Sequence, residues 1–174
     1  MSDTRPCRPP PNVTRNCAIC SGGGGGYIAA MARASDFPAR GRIKETRGNV
    51  VVFQPANTTY ELHLESGGEK PAGDEPVDVF VRVIARKVMT VPSGGNFIAP
   101  IFGQPRTIQG RVRLIGEREI VVQAGCPVIV ELPASDAAID LNNGPIAVGK
   151  MVNVSALPGA RVEVSGAAQV AEPV

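Results

Sequence analysis

Cys17 and Cys20, with two residues between them, have the spacing of one half of a zinc knuckle. A structural zinc needs four ligands. Cys7 offers a third, and the only histidine, His63, lies far along the chain. One CxxC without a second ligand pair does not make a metal site. His63 is flanked by Glu61 and Glu65, each two residues away, which sets all three on one face of a strand. Such a face suits acid–base chemistry or a metal. With no second His or Cys beside it, the pattern reads as a solvated strand face. Gly22–Gly26 lacks the Gly-Lys-Ser/Thr ending of a phosphate loop and has the chemistry of a flexible linker. No nucleophile–base pairing is visible. The expectation is a chain with no catalytic residues, no cofactor and no metal.

The elements that would position any site are written twice. Gly41-Arg42-Ile43-Lys44 returns as Gly110-Arg111-Val112-Arg113, 69 residues on. After each comes a polar stretch and an apolar run ending in glutamine: Val51-Val52-Phe53-Gln54 and Ile120-Val121-Val122-Gln123. A further strand-like run follows in both halves, and matching Glu61-Leu62 to Glu131-Leu132 puts that offset at 70, one residue inserted in a turn. A repeat of this size means one supersecondary unit used twice. Thr58–Glu65 alternates, with Tyr60, Leu62 and Leu64 on one face. Val77–Val83 alternates as well, extending towards Val91, with Phe80 and Arg82 opposite the valines. Thr107–Leu114, Glu119–Ala124, Val128–Leu132, Met151–Ala156 and Arg161–Ser165 read as strands. Pro133–Leu141 reads as one helical turn capped by Ser135 or Asp136.

Composition agrees. Aromatics make up 4% of the chain, there is no Trp, and 16 Pro and 20 Gly punctuate it. The core must come from Val, Ile, Leu and Ala, which favours short β-strands. The net charge of +2 comes from the first 30 residues, and the rest of the chain balances. A balanced domain lacks the field that drives non-specific nucleic-acid binding. No apolar run reaches the ~20 residues of a membrane span. No apolar h-region follows the N-terminal arginines, and three of the four cysteines crowd residues 1–30. A reduced, cytoplasmic protein is expected. Residues 1–36 read as disordered or as no part of the natural protein, with Met31 a candidate true start.

Two groups of residues are candidates for contact with a partner. The segment 92–106 carries Phe97, Ile98, Ile101 and Phe102 among Pro92, Pro100 and Pro105, which argue against regular structure. Four large apolar residues this close must leave water, either as an intramolecular lid or by docking on a protein partner or a second copy. Docking is the expectation, because Gly94, Gly95 and Gly103 let the segment project. The second group is Phe80, Arg82, Arg86, Lys87, Arg106, Arg111 and Arg113. They would form one basic stripe for nucleic acid if the last strand of the first half lay beside the first strand of the second.

Gly41-Arg42-Ile43-Lys44-Glu45 and Tyr60-Glu61-Leu62, with the glycine-introduced Gly149–Val154 strand, resemble small OB-like barrels of the translation initiation factor one type. The resemblance covers about half of each unit, and it implies nucleic-acid binding by the barrel face. Single-strand binders stack bases on aromatic residues, and from Thr107 onward this chain has none. The expected fold is all-β: two repeated OB-like barrels (37–91 and 107–165) or one pseudo-symmetric barrel. The loop 92–106 would join the halves, and 166–174 would be a tail. The expected function is a non-catalytic binding or assembly module acting through protein contacts, with nucleic-acid binding as the alternative.

Overall fold

Alternating valines, isoleucines and leucines dictate strands, and the computed structural model, which describes residues 32–67 and 75–165, is all-β. The three N-terminal cysteines, the five-glycine run, Met31 and the tail 166–174 lie outside the described residues. The strands are β1 (Ala39–Arg47), β2 (Val50–Pro55), β3 (Glu61–Ser66), β4 (Val77–Val91), β5 (Phe97–Ala99) and β6 (Phe102–Gly103). They continue with β7 (Thr107–Ile115), β8 (Glu119–Gln123), β9 (Pro127–Glu131), β10 (Ile139–Asp140), β11 (Met151–Ala156) and β12 (Arg161–Val164). Among the described residues no helix is long and apolar enough to cross a membrane.

The pairings close on themselves twice. β1, β2 and β3 pair antiparallel in sequence; β3 runs parallel to β12, and β12 and β1 both pair antiparallel with β4. β7, β8 and β9 do the same; β9 runs parallel to β4, and β11 pairs antiparallel with both β4 and β7. Each ring has five strands, and the 15-residue β4 belongs to both. Each half therefore lends its last strand to the other half's ring.

The two opening hairpins share one register. Arg42 faces Gln54 and Arg111 faces Gln123, and in both hairpins the register slips one step further on, between Ile43 and Glu45 and between Val112 and Leu114. The third strands correct the sequence match. Phe53 faces Leu62, and its counterpart Val122 faces Val128. β3 thus corresponds to β9 at an offset of 66 rather than 70. The turn before β9 is shorter, and the shared Glu-Leu at 61 and 131 misleads.

The repeated glycine has a steric reason. A Cβ on Gly41 would strike the Gln54 carbonyl oxygen and the Phe53 ring; on Gly110 it would strike the Gln123 carbonyl. Only glycine lets these strands cross so closely.

One core cluster draws on both halves, from Ile43, Phe53 and Leu64 to Val112, Ile120 and Val154. A smaller cluster lies on the outer side of β8 and β9. There Ala34, Val121 and Ile129 are buried with Phe37, Phe80 and Leu114 against them. The 3-10 turn at Ala34–Asp36 brings the covering residues. The turn expected within 133–141 forms at Asp136–Ala138 with Ser135 in the cap position, but no side chain caps it.

Candidate functional site

Segment 92–106 is more regular than its prolines suggest. β5 pairs antiparallel with β7, Ile98 opposite Ile108, and β6 pairs parallel with β3, Phe102 opposite Glu61. Three residues between Asn96 and Pro100 suffice for a strand, because the prolines stand outside the paired positions. The segment therefore reaches from the second ring to the first.

This anchoring divides the four apolar candidates. Ile98 is 1% exposed and belongs to the core, so it is not available to a partner. Its N–H donates to the Tyr60 hydroxyl at 3.4 Å. Phe97 is half-buried. Ile101 and Phe102 stand out at 50% and 63% exposure, on a bend whose Ile101 carbonyl accepts the Glu61 N–H at 2.8 Å. The expectation of either a lid or a docking loop is corrected to a split: Ile98 is core, Phe97 is half-buried, and Ile101 and Phe102 form a projecting knob.

The split is measurable. Ile98→Ala is expected to lower unfolding free energy by about 2–5 kcal/mol. Phe102→Ala is expected to change it by less than about 0.5 kcal/mol, as for an exposed position. Urea denaturation of the two variants checks this; equal losses would contradict the placement.

Beside the knob lies an open depression of about 510 Å³ lined by Asn57, Thr58, Thr59, Tyr60, Asn96 and Gly125. It forms where the β2–β3 turn meets the β8–β9 turn. A Cβ on Gly125 would run into the Tyr60 ring, so glycine is what lets the two turns touch. Asn57 takes a φ of 59°, as a tight turn requires and as asparagine tolerates. Gln54 Nε2 and the Thr58 hydroxyl bond to backbone carbonyls within the turn, at 3.2 and 2.9 Å. Among the described residues no charged side chain lines the depression. Glu61, the residue after Tyr60, bonds Lys44 at 2.5 Å. The alternation that puts Tyr60 on the face of Leu62 and Leu64 agrees with its packing against the core, but it does not reveal the depression. Asn57 in a Pro-Ala-Asn turn was its one local signal, and Gly125 had none.

The basic candidates do not lie on adjacent strands. β11 lies between β4 and β7, so the strand adjacency a stripe requires is absent. Phe80 is no exposed platform, because it packs in the smaller cluster with Phe37 and Leu114. Arg82 is held at 3.1 Å by both Glu119 and Glu163. Burial opposes its charge, but bonding and attraction from Glu163 and then Glu119 prevail and raise its pKa. Arg111 donates to the Gly149 carbonyl at 3.1 Å. Arg86, Lys87, Arg106 and Arg113 are exposed. Arg86 and Lys87 face solvent together because the β4–β11 register slips there.

His63 sits in β3 with Glu61 and Glu65, and all three are half-buried. Among the described residues no three His, Cys, Asp or Glu side chains are placed to hold a metal. Cys126 is buried, and desolvation pushes its thiol up to about 12, so it stays protonated at neutral pH. No family model, no curated protein and no solved structure matches the chain.

Proposed function

We propose that this is a cytoplasmic, non-catalytic binding or assembly module acting through protein contacts. In this reading its scaffold is two OB-like barrels, copies of one unit, that share a strand. The single observation that carries the function is the knob. Ile101 and Phe102 project into solvent from a bend tied on both sides by strand pairing, so the apolar surface is presented rigidly and loses little entropy on binding. Aromatic residues in such positions are the usual anchors of protein interfaces. Against the nucleic-acid alternative weigh the packed Phe80, the paired Arg82 and the separation of β4 from β7.

The test is affinity capture from native lysate with and without nuclease, comparing wild type with Ile101→Ser/Phe102→Ser. A protein bound by wild type, retained after nuclease and lost by the folded double variant, supports the reading. Retention that nuclease abolishes would return the basic residues to first place.

A further inference from the structure

Resting on that reading, we propose that the partner is a second copy of this chain, joined about a two-fold axis at the face carrying the knob and the depression. An isologous contact sets one surface against itself, so each copy must offer both a projection and a recess. Here they lie side by side: Phe102 pairs with Glu61, and Tyr60, the next residue, lines the recess. A two-fold axis between them places each Phe102 over the depression of the other copy.

Charge favours a second copy over a charged partner. Near a two-fold axis each side chain approaches its own copy, so an unpaired charge there would repel itself. Among the described residues no charged side chain lines the depression, and Glu61 beside the knob is neutralised by Lys44. The recess itself offers amide and hydroxyl groups, from Asn57, Thr59 and Asn96. These can bond across an interface in either direction without a fixed charge. The open shape of the recess suits a shallow aromatic insertion, and a buried phenylalanine removes about 150–250 Å² from water.

Sedimentation velocity of the full 174-residue chain tests this, over a range up to about 100 μM. Wild type is expected to form a dimer, twice the 18.1 kDa chain mass. Phe102→Asp is expected to be folded but monomeric, since each copy would set a carboxylate against the other's uncharged recess. Asn96→Arg, which places a cation at the recess, is expected to be monomeric as well. An equimolar mixture of the two variants is expected to recover a heterodimer, because aspartate then faces arginine across the axis. A wild type that stays monomeric over the whole range would overturn the proposal, as would a Phe102→Asp variant that still dimerises. A mixture that fails to associate would overturn it too. A monomeric wild type that still loses a captured protein when Ile101 and Phe102 are replaced would remove the second copy and leave the broader reading standing.

Discussion

Phe53→Ala is expected to cost about 3–5 kcal/mol, the range for emptying a fully buried aromatic site. Phe53 is 0% exposed and is the largest fully buried side chain among the described residues. The neighbours that line its site are mostly short: Leu62 faces it across β3, Ile43 faces it across β1, and Gly41 lies against its ring. Branched side chains held in closed rings cannot slide inward to fill the gap, so the cavity term adds to the lost transfer energy. Urea titration should show a lower midpoint with an unchanged slope, the sign of lost stability rather than of an altered unfolded state. A loss under about 1 kcal/mol would mean that this site collapses easily, contrary to the packing described.

The second large effect is expected at Gly110. A side chain there would meet Gln123 O and C and then Ala124 N, all backbone atoms of the paired strand. Backbone cannot rotate away as a side chain can. Gly110→Ala is expected to cost about 1–3 kcal/mol, and Gly110→Val more, because its branched carbons spread into the same space. The strain should appear first as faster amide exchange in the β7–β8 hairpin. Gly95→Ala is the control: nothing lies within 4 Å of its Cβ position. It is expected to stay within about 0.5 kcal/mol of wild type. Equal behaviour of the Gly110 and Gly95 variants would contradict the close crossing.

Most strands were legible because burial on one face imposes alternation. The valines at 79, 81 and 83 and the leucines at 62 and 64 are buried as their spacing requires. Alternation says which residues share a face, not which strand lies alongside. The pairing of β3 with β12 and of β9 with β4 joins segments far apart in sequence, and nothing in either segment names the other. The basic stripe failed for this reason: β11 comes from late in the chain and enters between β4 and β7.

Phe80 shows a second limit. Its spacing correctly put it opposite the core valines. The far side of a strand is solvent only if nothing covers it, and here residues from Ala34 to Phe37 do. In segment 92–106 the prolines correctly marked breaks, but a three-residue strand fits between them. Of the candidate site, the knob was visible as apolar residues with nowhere local to go. The depression was not visible, because it exists only where two distant turns touch.

The shared β4 has a consequence for synthesis. β1, β2, β3 and most of their apolar residues leave the ribosome early, yet their ring has no closing strand until Arg161–Val164 emerges. The second ring needs β4, made before its own first strand. The second ring can close once β11 emerges, but the first must wait for β12, so the nascent chain carries an unpaired β3 edge through most of its translation. Such edges are templates for unwanted pairing. This architecture therefore ties yield in the cell to the rate at which the last strand is delivered, and a holding chaperone or faster late translation should raise it more than any gain in the stability of the finished fold.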